Sequence, residues 1–212
     1  YSSLGLFKKG IYYYKQSVEY NNNDSYAQHN IANSYFELGM YDEAMPYFKK
    51  ALSLNPESFD SHFGIGSCYY NMEQYEAALE HFVSGLMINK NHSQLWYSKA
   101  DTEYALFRME EAEMSYKKVI EIEPDNYEAI FDLGCVYSDL NMFEEALEYF
   151  NKVTILNPGW ADVYYEKSKI YFLTGETELG IEMLETAFLY KPEDRFEYNF
   201  DNDWEKIIKF LV

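Results

Sequence analysis

From Tyr26 to Leu38, and again from Asp42 to Leu54, apolar residues recur three and four positions apart. That spacing marks one face of an α-helix. Gly39 between the stretches predicts a tight helix–helix turn, and Gly5 and Gly175 predict the same at their own places. Pro56 then bars the second helix from continuing. Each such pair predicts two antiparallel helices of about 14 residues, roughly 21 Å long at 1.5 Å per residue. Pro46 falls inside the second stretch; the reading places it in the first turn, where N–H groups lack intrahelical partners and its cost is modest.

The same pattern is written again further on. The segment from Asn30 to Glu57 reads NIANSYFELGMYDEAMPYFKKALSLNPE, and that from Asp132 to Gly159 reads DLGCVYSDLNMFEEALEYFNKVTILNPG, 102 residues later. Since 102 is three times 34, positions 34 apart fall into rows of one residue type. One row is always small: Gly10, Ala44, Ala78, Ala112, Ala146, Gly180. Another is always large and apolar: Tyr14, Phe48, Phe82, Tyr116, Phe150, Leu184. A third is small again, Ala32, Gly66, Ala100, Gly134 and Ser168. Tyr35, Tyr69, Tyr137 and Tyr171 form a fourth, broken by Glu103, and Pro56, Pro124, Pro158 and Pro192 a fifth. Small rows let helix backbones approach where they cross, and the large rows fill the adjoining holes. Lys99 and Lys167 stand where the other repeats carry an apolar residue such as Leu133, so their stems should pack while the ammonium reaches a carboxylate. With Glu103 in place of a tyrosine, the third repeat is expected to pack more loosely.

This pattern resembles the tetratricopeptide repeat. Ile31, Ala32, Tyr35, Ala44, Phe48, Ala51 and Pro56 carry the resemblance, as do Leu133, Gly134, Tyr137, Ala146, Phe150 and Pro158. Trp96, Ala100, Ala112, Tyr116 and Pro124 carry it in the middle copy. The resemblance implies an all-α fold, an α-α superhelix (solenoid) of stacked antiparallel hairpins with a 34-residue period. Five repeats are expected at 25–58, 59–92, 93–126, 127–160 and 161–194. Residues 1–24 read as the second half of a truncated N-terminal repeat, and 195–212 as a capping helix or the start of a further repeat.

Charge narrows the partners. The 36 acidic and 17 basic residues give a formal net charge of −19. Such a chain repels phosphate, which argues against nucleic acid and anionic lipid and toward cationic partners. No apolar run approaches membrane-spanning length, so direct membrane insertion is not expected. Two cysteines, Cys68 and Cys135, form neither a disulfide framework nor a zinc spacing and suit a reducing compartment. A cytoplasmic location is therefore favoured, with a leader upstream of Tyr1 left open.

Catalysis needs convergent groups, and the sequence displays none. His29, His62, His81 and His92 lack any metal-ligand spacing, and the glycines do not form a phosphate-cradling loop. No enzyme activity, metal or cofactor is expected. His62 shares a row with Trp96, Ile130 and Tyr164 and reads as a packing residue.

In the family the first helices line the concave face. The residues at those places give the candidate partner-binding set: Tyr26, Asp60, Glu128 and Asp162 in one row; His29, Phe63, Tyr97, Phe131 and Tyr165 in the next; Asp132 and Glu166 in a third; Asn33 and Asp101 in a fourth; Tyr70 and Tyr104 in a fifth. Such a groove is aromatic and acidic, suited to a protein or peptide segment containing Lys or Arg. The family's carboxylate clamp for heat-shock-chaperone tails needs Lys, Asn and Arg at set places. The matching sites are His29, Asn33, Gly64, Gln94 and Ser98, one repeat later Phe63, Ser67, Ser98, Glu128 and Asp132, and one later again Tyr97, Asp101, Asp132, Asp162 and Glu166, and none of these sets can clamp a carboxylate. The sequence therefore reads as a non-catalytic protein-interaction scaffold. The alternative is a structural or self-associating segment of a longer multidomain protein, including the substrate-selecting part of an enzyme or signalling protein.

Overall fold

A computed structural model describes residues 2–192. The described residues form eleven α-helices and no strand: α1 Ser2–Tyr20, α2 Ser25–Phe36, α3 Tyr41–Leu54, α4 Phe59–Asn71, α5 Tyr75–Ile88, α6 Ser93–Ala105, α7 Met109–Ile122, α8 Tyr127–Asp139, α9 Phe143–Leu156, α10 Ala161–Leu173 and α11 Thr177–Tyr190. They fall into two compact units, one running to Glu123 and the other from Pro124. In the first, α1 packs on α2, and the hairpins α2/α3, α4/α5 and α6/α7 stack in order. In the second, hairpin α8/α9 stacks on α10/α11.

The helix starts and turns keep the period. Asp24 Oδ1 accepts from Ala27 N, Ser58 Oγ from Ser61 N, His92 Nδ1 from Leu95 N and Asn126 Oδ1 from Ala129 N, so four first helices begin on a side-chain N-cap. Each hairpin turns through one left-handed residue, Gly39, Glu73, Phe107, Asn141 and Gly175, with φ of 71°, 60°, 58°, 57° and 85°. Beside it the next N–H reaches back five residues: Met40 N donates to Tyr35 O, Gln74 N to Tyr69 O, Arg108 N to Glu103 O, Met142 N to Tyr137 O and Glu176 N to Tyr171 O. This is the Schellman arrangement, which satisfies carbonyls that a helix end leaves over.

The small and large rows are the core. Ala44, Ala78, Ala112, Ala146, Ala32 and Ala100 are fully buried, with Phe48, Phe82, Tyr116 and Phe150 against them. A fully buried Phe contributes about 1.5–3 kcal/mol. Beside this core, ring pairs join the first helix to the second in three hairpins. Tyr35 stacks on Tyr47, Tyr69 on His81 and Tyr137 on Tyr149, with ring centroids 5.4–5.7 Å apart. Lys15 from α1 donates to Tyr35 Oη at 2.8 Å and lies over both rings of its stack. That hydrogen bond holds the Lys15 ammonium above the usual lysine range.

Three expectations need correction. Gly5 makes no turn, for it lies inside α1, where the helix runs on without a left-handed residue. Pro46 sits in the second turn of α3, so its missing N–H leaves the exposed Asp42 carbonyl without its usual helical donor. The third hairpin is also not loosened by Glu103, which is 3% exposed. Lys99 Nζ donates to Glu103 Oε1 at 2.5 Å and to Ser115 Oγ at 2.7 Å, and Ser115 Oγ donates to Glu103 Oε2 at 2.6 Å. A closed polar triad thus takes the place of a ring pair. Lys167 is buried in α10, and burial lowers its ammonium against a raising influence from Glu182. The element expected over 195–212 lies outside the described residues.

Candidate functional site

In the first compact unit the first helices α2, α4 and α6 present a cleft of about 390 Å³. Asn33, Phe36 and Glu37 come from α2 and its end, Phe63, Ser67, Tyr70 and Asn71 from α4, and Gln94, Ser98 and Asp101 from α6. Continuous with it through Asn33, Phe36, Phe63 and Gln94 is a hollow of about 200 Å³, to which His29, Asp60, Gly64 and His92 are added. The reason is local: residues three and four apart on a helix share a face, so 29, 33 and 37 line up on α2 and 63, 67 and 71 on α4.

The surface is aromatic, amide-lined and acidic at three points, Glu37, Asp60 and Asp101. Phe63 lies 6.0 Å from the Phe82 ring that floors the cleft. Gly64 lines the hollow and admits the Phe48 ring behind it, since a Cβ there would meet that ring at 2.4 Å. Asp60 is exposed at the rim. Asp101 lines the cleft while accepting from Tyr116 Oη at 2.7 Å. His29 packs edge-on against Phe48, and its buried Nδ1 finds no hydrogen-bond partner. Burial lowers its imidazole below the ordinary range, partly offset by the Asp60 charge, so the ring is neutral at pH 7.

The sequence-predicted residues therefore divide. His29, Asn33, Asp60, Phe63, Tyr70 and Asp101 share one surface. Tyr26 is 71% exposed outside the cleft. Tyr97 is turned edge-on to Tyr116 at 5.8 Å, and neither it nor Tyr104 lines the cleft. Phe36, Glu37, Ser67, Asn71, Gln94 and Ser98 also line the cleft without belonging to the expected partner-binding set. Glu37 and Asn71 each stand four residues beyond a predicted position or its row-mate, so continuing the helical stripe one turn would have found them.

In the second unit the expected aromatic rungs are packing residues. Tyr165 is 4% exposed and meets Phe188 edge-on at 5.9 Å, so it leaves the candidate surface. Phe131 is half-buried between Phe150 and Trp160, at 5.5 and 4.6 Å. Asp162 is already engaged, accepting from Trp160 Nε1 at 2.7 Å and Lys191 Nζ at 3.1 Å. Glu128 is exposed, and Glu166 stands 3.6 Å from Lys169. The field is nonetheless negative here: burial pushes the Cys135 thiol well above its ordinary value, and Glu166, Asp132 and Asp139 push it further against Lys169. That thiol is therefore protonated at neutral pH. Among the described residues no cluster of three or more His, Cys, Asp or Glu could hold a metal ion. None of the described helices is long and apolar enough to cross a membrane.

Known proteins carry the same architecture. Tetratricopeptide repeat models match residues 25–58, 47–80, 93–126, 115–148 and 161–194. A stretch of 73 residues is 32% identical to the protein CTR9 homolog of Arabidopsis thaliana; it makes up 34% of this chain and 7% of that protein, so the chain spans a small fraction of that relative's length. The crystal structure of YrrB, described as a TPR protein with an unusual peptide-binding site, is similar with a TM-score of 0.72 and 26% identity, over 84% of this chain and 92% of that one. MamA residues 41 to the end from Desulfovibrio magneticus RS-1 share the fold with a TM-score of 0.76 and 18% identity, over 80% and 96% of the two chains. With its period, turns and core rows accounted for and repeat models covering more than half its length, the chain belongs to the tetratricopeptide repeat family.

Proposed function

We propose that the protein is a non-catalytic interaction scaffold that holds a segment of a partner protein, one containing Lys or Arg, on the first-helix face of α2, α4 and α6. The observation that carries this reading is the cleft in which Phe36, Phe63 and Tyr70 stand beside Asp60, Asp101 and the amides of Asn33 and Gln94. Aromatic faces and carboxylates together select a cation: a Lys or Arg that gains one carboxylate and one ring contact there gains about 1–3 kcal/mol. Side-chain amides hold an extended backbone by pairing with its N–H and C=O groups. The likeness to YrrB, whose description includes a peptide-binding site, supports a peptide as the occupant.

The test is an array of basic, neutral and acidic 12-residue peptides probed with the wild type and with a variant carrying Phe63→Ala and Asp60→Lys. Basic peptides should be retained by the wild type and released by the variant, with circular dichroism unchanged. Equal retention of acidic peptides, or retention by both proteins alike, would remove this reading.

A second reading, a self-associating structural segment, is favoured by one observation: Leu6, Tyr12 and Tyr13 of α1 are 67%, 59% and 64% exposed. Sedimentation velocity over a range of concentrations separates the two, since only self-association shifts with concentration.

A further inference from the structure

His62 on α4 and His81 on α5 are 19 residues apart in sequence, and their Nδ1 atoms lie 3.2 Å apart. Two of the chain's four histidines thus meet at one point. At the corresponding repeat positions the other described hairpins carry Gln28 and Tyr47, Trp96 and Ser115, Ile130 and Tyr149, and Tyr164 and Met183, so the imidazole pair is peculiar to the second hairpin.

The separation is informative. Nitrogens bound at about 2.1 Å to one ion stand about 3.4 Å apart at a tetrahedral angle and about 3.0 Å apart at a right angle. The observed distance lies between these values. We propose that His62 and His81 form a two-histidine chelate for a divalent transition-metal ion, with its other coordination positions taken by water.

Two features support a chelate over a bare hydrogen bond. Both rings are held in place: His81 stacks on Tyr69 at 5.7 Å, and the two imidazoles lie 5.4 Å apart at 40°. Both are only half-buried, so an ion can arrive with its waters. The opposing group is Lys49, whose ammonium lies 3.4 Å from Tyr69 Oη, on the ring that stacks with His81. Its repulsion limits affinity, and a soft or borderline ion on neutral imidazoles is the fitting occupant. Binding requires that the ring donating Nδ1–H shift its proton to Nε2, so that both Nδ1 atoms are free to coordinate.

The experiment is isothermal titration of the untagged, chelator-stripped full chain with ZnCl2 and NiCl2, beside His81→Phe, His62→Ala and a His29→Ala, His92→Ala control. His81→Phe keeps a ring on Tyr69 and so keeps the fold. One ion per chain is expected, with affinity falling at least tenfold in His81→Phe and in His62→Ala and unchanged in the control. Absence of saturable binding, or affinity kept by His81→Phe, overturns the proposal; loss only in the control places the ion elsewhere and overturns it equally.

Discussion

The ring of Phe150 on α9 lies so close to Gly134 on α8 that a Cβ at Gly134 would meet Phe150 Cε1 at 2.6 Å. Gly66 stands in the same relation to Phe82, also at 2.6 Å. Gly134→Ala should therefore destabilise the protein by about 1–3 kcal/mol despite the better helix propensity of Ala. Urea denaturation measures this, and adding Phe150→Leu should recover part of the loss. A neutral Gly134→Ala would mean that the ring yields easily and the contact does not set the crossing distance.

Phe107 is 84% exposed and held at a φ of 58°. A side chain in that region costs about 1 kcal/mol, and so exposed a ring regains little of it. Phe107→Gly should stabilise by about that amount, whereas Phe107→Ala should not. If the two variants melt together, the gain lies in removing the aromatic ring and not in relieving the backbone.

Removing one partner of the buried triad should be costly. Glu103→Ala leaves Lys99 without its carboxylate and should lose about 3 kcal/mol. The double change Lys99→Leu with Glu103→Tyr restores the residue types of the neighbouring repeats and should retain wild-type stability or exceed it. Chemical denaturation of the two variants distinguishes a required charge pair from one tolerated replacement for a ring.

Acid should weaken the second hairpin selectively. The folded-state pKa of His81 lies near 4 against an ordinary 6.5, lowered by burial first and then by His62 and Lys49. Between these values the unfolded chain binds a proton that the folded chain refuses, so stability falls as pH drops from about 6.5 to 4. In His81→Phe the melting temperature should fall less over that interval. A parallel fall in both proteins would assign the acid sensitivity to the carboxylates.

The core was legible because helix crossings demand small residues at fixed intervals: Ala44, Ala78, Ala112 and Ala146 can be read off in steps of 34 and all are fully buried. The turns were legible only where glycine marks them. Glu73, Phe107 and Asn141 adopt the same left-handed conformation without a glycine, since the five-residue backbone bond imposes it on whatever residue stands there. The cleft was legible in part: His29, Asn33, Phe63 and Asp101 follow from helical spacing. Asp162 and Tyr165 did not, because what engages them comes from elsewhere in the fold: Lys191 29 residues on from Asp162, and the ring of Phe188 on another helix. Periodicity tells which face a residue shares, and not how far a long side chain from the next helix will reach across it.

The capping positions carry one more consequence. Asp24, Ser58, His92 and Asn126 each close one period and open the next helix through a single side-chain acceptor. Excision of residues 59–92 would set Ser58 directly before Ser93 and its hydroxyl over the N-terminus of α6. At these four junctions a whole period can be removed without orphaning a helix start, so the chain is divisible in steps of 34 residues.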